Sequence, residues 1–243
     1  MSRASTSQRP VDPPRSLQNR AGVQTRALLL SVAERLFAER GLEQVAVRDI
    51  TEGAGANIAA VNYHFGSKRG LIEALVDRGA GEMNRRRERY LDALKEDPHP
   101  DPRSLVEALV MPTVDMIRTT PDGRYYSQFL SRLATNPEFL PLVNQAHDPH
   151  TNRFLALLGR AFPDLAPNVR LLRYVAAKDL VNQFVGEPTG RIPTWLGAHV
   201  EIGFEETVEA LMDMIAGLFA APVSETGARL LPAAEPPSVA PKE

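Results

Sequence analysis

The chain has no cysteine among its 243 residues, only one tryptophan, and an aromatic share of 6%. The absence of cysteine excludes disulfide bridges and thiolate chemistry, and it fits a reducing compartment. The sequence has no run of about 18 apolar residues, the length that a membrane-spanning helix requires. Residues 1–20 also lack the apolar segment of a secretory signal. We therefore expect a cytoplasmic protein that has no membrane partner.

An excess of charge of either sign is missing as well, because 28 Lys and Arg residues oppose 30 Asp and Glu residues and leave a formal net charge of −2. A chain with this balance is no polycation, so any surface for nucleic acid must be a local basic patch. Apolar residues make up 43% of the chain, which is enough for a sizeable core. The length allows one large domain or two modest ones.

Motifs of the common enzyme classes are also missing. The sequence has no G-x-S-x-G nucleophile elbow, no phosphate-binding P-loop, no H-E-x-x-H zinc motif and no G-x-G-x-x-G dinucleotide fingerprint. The five histidines form no cluster with ligand spacing. The closest group, His147-Asp148-Pro149-His150, is interrupted by proline, and we interpret it as a loop. We therefore predict no catalytic residue, no cofactor and no metal site.

Apolar residues recur at helical spacing through most of the chain, and no segment shows a convincing strand alternation. The first helix carries Ala27, Leu28, Leu30, Val32, Ala33, Leu36 and Phe37 on one face and ends at Gly41. We therefore predict an all-α protein. Its expected parts are a disordered basic arm over residues 1–20, a first helical domain over 21–80, a second helical domain over 81–220 and a disordered tail over 221–243.

Helix signals continue into the second domain. The prolines of residues 97–102 mark a loop, and the spacing of Ser104 and Glu107 predicts a capping box for the helix after it. Asn136 followed by Pro137 predicts the start of another helix. We expect further helices over residues 152–161, 168–186 and 199–220.

Residues 45–68 read as two short helices joined by a glycine turn, which is typical of a helix-turn-helix that lies on DNA. Gly55 supplies the backbone freedom for the turn, and Asn57 is a natural N-cap for the second helix. The small Ala59 and Ala60 let that helix approach the major groove closely. Ser67 is expected to cap the helix that follows.

Several polar and basic residues of this unit have the chemistry of a DNA contact. Asn62 can hydrogen-bond a base edge or a phosphate, and Tyr63 and His64 combine an apolar body with a polar tip that suits the sugar-phosphate backbone. Lys68 lies in the first turn of a helix, where its ammonium and the helix N-terminus can meet one phosphate. The predicted DNA-binding residues are Arg26, Arg48, Asn57, Asn62, Tyr63, His64 and Lys68.

The unit resembles the N-terminal domain of TetR-family transcriptional regulators. The residues that carry the resemblance are Phe37-Ala38-Glu39-Arg40-Gly41, Val47-Arg48-Asp49-Ile50, Ala54-Gly55 and Tyr63-His64-Phe65-x-Ser67-Lys68. The resemblance covers about residues 25–76. It implies an all-α homodimer with a three-helix DNA-binding domain and a larger helical domain that binds a small ligand.

The sequence departs from the family pattern at two places. The residue that opens the second helix is usually Thr or Ser, whereas here it is Ala46, so one expected phosphate contact is missing. The first turn after Ser67-Lys68 often carries Glu, whereas Arg69-Gly70 stand there. The local surface is therefore more basic, which can compensate for the lost contact.

The resemblance implies a cavity in the second domain, and the predominantly apolar side chains there favour an apolar or amphipathic effector. The sequence of residues 59–65 is more similar to the fatty-acid-responsive branch of the family than to the tetracycline-type branch. Candidates for holding the effector's polar end are Arg124, Gln128, Arg132, Asn144 and Asn182, with Phe129, Phe154 and Phe184 as apolar candidates.

In the family, the last two helices form a four-helix dimer interface, and here both carry apolar stripes. The candidates for this interface are Leu172, Val175, Val208, Leu211, Met212, Ile215 and Leu218. Two-fold symmetry would present two recognition helices to one palindromic DNA site.

The function that these patterns favour is a ligand-responsive regulator, a repressor that binds a palindromic operator as a homodimer and is released by a small molecule. Two alternatives stay open. One is a ligand-independent DNA-binding or nucleoid-type protein, and the other is an enzyme fused to a DNA-binding head.

Overall fold

The computed structural model describes residues 15–186, 203–225 and 227, and every regular element in these residues is a helix. The predicted all-α class is therefore confirmed. In chain order the helices are α1 (Arg15–Arg40), α2 (Val47–Gly53), α3 (Ala59–Phe65), α4 (Lys68–Ala93), α5 (Pro102–Thr119), α6 (Gly123–Ala134), α7 (Leu140–Ala161), α8 (Pro167–Gly186) and α9 (Phe204–Ala220).

The first hydrophobic core joins the three N-terminal helices to α4 and α6. Leu29 and Phe37 of α1, Ile50 of α2, Val61 of α3 and Leu75 of α4 are fully buried in it. The stripe that the sequence predicts for α1 faces this core, except for Ala27 and the half-exposed Leu28. Because α6 packs directly on α1, the DNA-binding unit rests on the second domain as well as on α4.

The second core fills the space between α5, α7, α8 and α9. Its buried residues include Val110 of α5, Leu158 of α7, Ala177 of α8 and Ile215 of α9. The α4 helix passes from the first core to the second, since Leu71 and Leu91 near its two ends belong to different cores. One continuous helix therefore links the two cores.

Several predicted boundaries are wrong. The first helix begins at Arg15, so residues 15–20 are helical rather than part of a disordered arm. Helix α5 begins at Pro102, because the Asp101 side chain accepts a hydrogen bond from the Ser104 nitrogen at 3.0 Å and caps the helix earlier than the predicted capping box. Helix α7 begins at Leu140 and runs through residues 147–150, which are therefore helical and not a loop.

The sequence analysis also missed α6 as a separate helix. Gly123 is buried, and a Cβ added to it would lie only 2.2 Å from the Met116 carbonyl oxygen, so the chain reverses tightly between α5 and α6. Residues 1–14 and 187–202 and most of the predicted tail lie outside the described residues. Among the helices of the described part, none combines the length and the apolar character needed to cross a membrane.

Candidate DNA-binding surface and effector cavity

The helix-turn-helix predicted from the sequence is formed by α2, the turn of residues 54–58 and α3. Gly55 has φ +59°, a left-handed conformation that glycine adopts without strain. The Asn57 side chain accepts a hydrogen bond from the Ala59 nitrogen at 2.9 Å. This bond satisfies a free N–H group at the start of α3, which is what a capping residue does. Asn57 therefore supplies such a bond, but α3 begins at Ala59 with Ile58 at the N-cap position, one residue later than the sequence predicts.

One face of α3 is open to solvent and the other holds the helix in place. Val61 is fully buried, whereas Ala59 and Asn62 are exposed and Tyr63 is 84% exposed. Ile58, just before the helix, is 60% exposed. The exposed surface therefore combines two large side chains, Ile58 and Tyr63, with the Asn62 amide and a small alanine. Such a surface can approach base edges and phosphates.

His64 and Arg26 lie at the seam between α1 and α3. The His64 ring is half-buried and stands edge-on to the Tyr63 ring, with centroids 4.9 Å apart. It also approaches α1, because a Cβ added at Gly22 would lie 4.0 Å from its Cε1 atom. The Arg26 guanidinium lies 5.0 Å from the centroid of the Phe65 ring. These contacts place both predicted residues beside the exposed face of α3.

Arg48 lies on the exposed side of α2 and pairs with its neighbour one turn on. Its Nε atom donates to a Glu52 carboxylate oxygen at 2.6 Å, and this hydrogen bond raises the pKa of Arg48. Both side chains are exposed, so a phosphate can replace the carboxylate without uncovering a buried charge.

Lys68 points away from the exposed face that the sequence assigned to it. Its ammonium donates a hydrogen bond to the carbonyl oxygen of Leu42 and lies 5.6 Å from the centroid of the Phe37 ring. In the DNA-free chain it therefore holds the turn between α1 and α2 against the start of α4. The cap predicted for Ser67 is confirmed, since its hydroxyl accepts from the Gly70 nitrogen at 3.0 Å.

The second domain contains a cavity of about 360 Å³ between α4, α5, α6, α7 and α8. Two predicted effector contacts, Asn144 and Asn182, line it. The remaining described lining residues are Met83, Arg87, Thr113, Ser127, Leu130, Ala134, Leu140, Val143, Val175, Lys178 and Asp179.

The structure places the other predicted effector contacts elsewhere. Phe129 and Phe154 are buried in the first and second cores, and Phe184 packs half-buried against the second core. Arg124 is exposed on α6, and the Arg132 Nε atom donates to the carbonyl oxygen of Ala38 at 2.8 Å. Gln128 is half-buried, outside the cavity lining. These six assignments are corrected, because none of the six side chains lines this cavity.

One lining residue, Arg87, belongs to a run of three arginines in α4, residues 85–87. The structure divides this cluster, since the Arg85 side chain is 70% exposed, Arg86 is buried beside Glu82, and Arg87 lines the cavity. The spacing in α4 carried the signal. Arg87 lies four residues after Met83 and four before Leu91, both of which are buried.

Polar contacts join the DNA-binding unit to the second domain. Arg78 of α4 donates to the buried Glu34 carboxylate of α1 at 2.8 Å, and the Ser31 hydroxyl donates to Asp122 at 3.1 Å. Burial raises the pKa of Glu34 to about 7, although Arg78 opposes this shift. The bond from Arg132 to α1 adds to these contacts. We call the set of residues that makes them the domain junction: Ser31, Glu34, Arg78, Asp122 and Arg132.

The predicted dimer-interface residues separate into two groups. Val208, Leu211, Met212 and Ile215 are at most 3% exposed in the chain's own second core, and Leu218 packs half-buried against it. These five are corrected, because side chains that already fill a core offer little surface to a partner. In contrast, Leu172 is 57% exposed and Val175 is 46% exposed.

A helix-turn-helix with an exposed second helix, joined through one long helix to a domain with a cavity, defines a DNA-binding regulator. Comparisons with known proteins agree. The family model described as "Bacterial regulatory proteins, tetR family" matches residues 29–75, and the model described as "Tetracyclin repressor-like, C-terminal domain" matches residues 107–218. Together they match more than half of the chain, which therefore belongs to the TetR family of transcriptional regulators.

Curated relatives match part of the chain. The transcriptional repressor KstR2 of Mycobacterium tuberculosis is 32% identical over 115 residues, which are 47% of this chain and 55% of that protein. The dual regulator CecR of Shigella flexneri is 33% identical over 121 residues, or 48% and 54% of the two chains. The matches thus span about half the length of these relatives.

Solved structures share the fold over most of the chain. The fatty acid degradation regulator FadR of Bacillus halodurans has a TM-score of 0.57 at 16% identity, with 81% of this chain and 95% of the other covered. The ketosteroid transcriptional regulator KstR2 of Mycobacterium tuberculosis has a TM-score of 0.56 at 20% identity, with 79% and 93% covered. At these identities the likeness supports the fold alone.

Proposed function

We propose that this regulator is a repressor that binds a palindromic operator as a homodimer and is released by a small molecule. The observation that carries the proposal is the exposed face of α3, where Asn62 and Tyr63 stand clear of the core. The curated relative KstR2, named a transcriptional repressor, supports the direction of control.

The exposed face of α3 gives each residue a separate task on DNA. Asn62 has an amide that can read a base edge, while Tyr63, His64, Arg26 and Arg48 contact the phosphate backbone. Asn57 keeps its capping bond and orients the N-terminus of α3. Because few side chains reach the bases, a single α3 gives limited discrimination, and two copies on one site multiply it.

The homodimer that this requires is supported by an apolar surface on α8 and α9. We define this α8–α9 face by the exposed residues Leu171, Leu172 and Val175 of α8 and Met214 and Gly217 of α9. The two helices pack against each other within the chain, so their outer sides form one continuous surface. A partner that packs the same face against it builds a two-fold interface.

The release step is supported by the position of the cavity relative to the domain junction. Met83 lines the cavity, and Arg78 lies five residues earlier on the same α4 helix. An effector that fits one arrangement of α4 better than another shifts the population toward it by its difference in affinity. The junction passes this change to α1 and so to the spacing of the two α3 helices.

A mobility-shift titration with DNA from upstream of the gene tests the proposal. We expect one specific complex at moderate salt that survives competition by unrelated duplex, and its loss when a cavity-binding compound is added. A thermal-shift screen identifies such compounds, since a ligand that binds only the folded chain raises its Tm. Binding without sequence preference would contradict the operator and favour the nucleoid-type alternative. Turnover of the ligand would favour the enzyme alternative.

A further inference from the structure

The cavity combines an apolar wall with an unequal set of charges. Met83, Leu130 and Val143 form apolar parts of the wall. Of the described residues that line it, Arg87 and Lys178 are cationic, and Asp179 is the one carboxylate. The other polar lining groups are hydroxyls and amides, which carry no charge. The described lining therefore has an excess of positive charge beside apolar surface.

Arg87 is placed where its charge acts strongly. Burial lowers the pKa of Arg87, because a charged guanidinium is poorly solvated away from water. Its field reaches the neighbouring buried groups, and together with burial it lowers the pKa of His150. The Nδ1 atom of His150 is buried without a hydrogen-bond partner among the described residues. A cation in such surroundings is stabilised when an anion comes within contact distance.

Lys178 offers a second cation from another helix. Lys178 lines the cavity from α8, and its ammonium lies 5.6 Å from the centroid of the Tyr174 ring one turn earlier. An anion in the cavity can thus be approached from α4 by a guanidinium and from α8 by an ammonium. A guanidinium donates two parallel hydrogen bonds to a carboxylate or sulfonate, whereas a neutral polar group accepts fewer and weaker ones.

We propose that the effector is an amphipathic organic anion, whose acidic group binds at Arg87 and Lys178 and whose apolar body lies against Met83, Leu130 and Val143. The proposal rests on the proposed effector-binding function of this cavity and narrows its ligand class. A cationic effector is disfavoured, because its charge would lie near Arg87 and Lys178, and Asp179 alone of the described lining residues would attract it.

A pair of fluorescent probes that differ in one acidic group tests this ligand class. The anionic 8-anilinonaphthalene-1-sulfonate and the neutral N-phenyl-1-naphthylamine share one aromatic framework and are titrated into the full chain. We expect the anionic probe to bind at least about tenfold more tightly, since only its sulfonate can accept charge-assisted hydrogen bonds from Arg87 and Lys178. Replacing Ala134, a lining residue, by phenylalanine should weaken both probes if they occupy the cavity.

Three variants test whether Arg87 and Lys178 cause the preference for the anionic probe. Arg87→Met and Lys178→Met should each reduce the ratio of the two dissociation constants, bringing it near one in the double variant. Arg85→Met is the matched control, because Arg85 lies on the same helix with an exposed side chain outside the cavity lining. Its ratio should equal that of the unmodified chain. If Arg87→Met fails to fold, Lys178→Met still gives the test, since its side chain is half-buried at the cavity edge.

The outcomes separate this proposal from the broader one. Equal affinities in the unmodified chain, with both probes lost in Ala134→Phe, would overturn the anion preference while leaving an effector cavity. A preference that survives in both Arg87→Met and Lys178→Met would also overturn it. If neither probe binds, the anion proposal fails and the cavity loses its support as an effector site. A reduced ratio in both variants, with release of DNA by the anionic probe, would support it.

Discussion

Lys68 shows how one side chain can serve the fold at a place where the sequence suggests DNA binding. The sequence correctly predicts its position in the first turn of α4, but its ammonium donates to the Leu42 carbonyl inside the chain. We expect Lys68→Ala to lower stability by about 1 kcal/mol or more, because that carbonyl loses a charged partner. A thermal denaturation series measures this loss.

The same variant checks the phosphate contact predicted from the sequence. With the ammonium turned inward, we expect the salt dependence of DNA binding to keep its slope in Lys68→Ala. A slope that falls by about one phosphate would show that Lys68 leaves Leu42 on DNA and would contradict this structural role. Arg40→Ala, an exposed cation at the end of α1, is a control for charge alone.

Glu34 gives the domain junction a dependence on pH. Its pKa of about 7 in the folded chain lies above the ordinary value of 4.5, so folding favours the protonated form. The associated stability is complete below pH 4.5 and is lost as the pH rises through 7. Through this group, the unmodified chain should lose on the order of 2 kcal/mol of its free energy of unfolding between pH 5 and 8. We expect this loss to be absent in Glu34→Gln.

Urea denaturation at a series of pH values measures this effect. The groups that act on Glu34 are Arg78 of α4 and Asp122 before α6, and both stay in place in the variant. Glu39→Gln, at an exposed carboxylate of the same helix, should keep the pH dependence of the unmodified chain. An unchanged dependence in Glu34→Gln would show that the ion pair with Arg78 keeps Glu34 charged.

Residue-level assignments succeed where backbone chemistry decides them. Gly55 and Ser67 are predictable because a left-handed turn and a helix N-terminus each require a particular residue type. Arg132 and Phe154 are not, because one side chain bonds a distant carbonyl and the other fills a core. Such partners depend on tertiary packing, which a single sequence does not display.

At the scale of the element, a glycine of α4 makes room for a tyrosine ring of α6. A Cβ added at Gly79 would lie 1.9 Å from the Tyr126 ring, which is buried between the two helices. We expect Gly79→Ala to destabilise the chain by about 1–3 kcal/mol, because neither helix can retreat without opening the core. The free energy of unfolding in urea measures the change.

Gly81 provides the control on the same helix. Its added Cβ would meet only an Arg85 side-chain atom, at 3.8 Å, which is an ordinary contact. Gly81→Ala should therefore be neutral or stabilising by up to about 1 kcal/mol, since alanine favours a helix over glycine. Equal losses in the two variants would contradict the close packing of the Tyr126 ring on Gly79.

Helix existence is predictable from spacing, whereas helix ends and close pairs are not. The starts of α4 and α8 lie within one residue of their predicted positions. The start of α5 moves because Asp101 caps it before Ser104 can, and α7 continues through a stretch whose Pro149 suggested a break. Local propensity gives way here to competing caps and to packing on both sides of the helix.

At the scale of the whole molecule, the proposed binding to a palindromic operator requires that two chains associate through the α8–α9 face. We expect Leu172→Asp to convert a dimer into monomers, because it places a carboxylate in the centre of an apolar interface. Operator binding should weaken with it, since a monomer holds one α3 helix. Sedimentation or light scattering gives the mass, and a mobility shift gives the DNA affinity.

Leu28→Asp is the matched control for this change. Leu28 is also about half exposed, but it lies on α1, outside the α8–α9 face. It should leave the mass of the assembly unchanged. A Leu172→Asp chain that stays dimeric would contradict the proposed interface, and a dimer that fails only in Leu28→Asp would move the interface to α1.

A fluorescence-anisotropy titration tests whether the exposed face of α3 reads DNA sequence. The unmodified chain and the variants Asn62→Ala and Tyr63→Ala are titrated with the selected operator and with a scrambled duplex. Lys95→Ala is the control, since Lys95 lies beyond the far end of α4, about 40 Å along the helix from its start.

We predict a strong operator preference in the unmodified chain and the control. Asn62→Ala should reduce that preference about tenfold, the expected loss of one base contact. Tyr63→Ala should weaken binding to both duplexes. Operator binding that is unchanged in both α3 variants, or an unmodified chain that binds the two duplexes equally, would contradict the account.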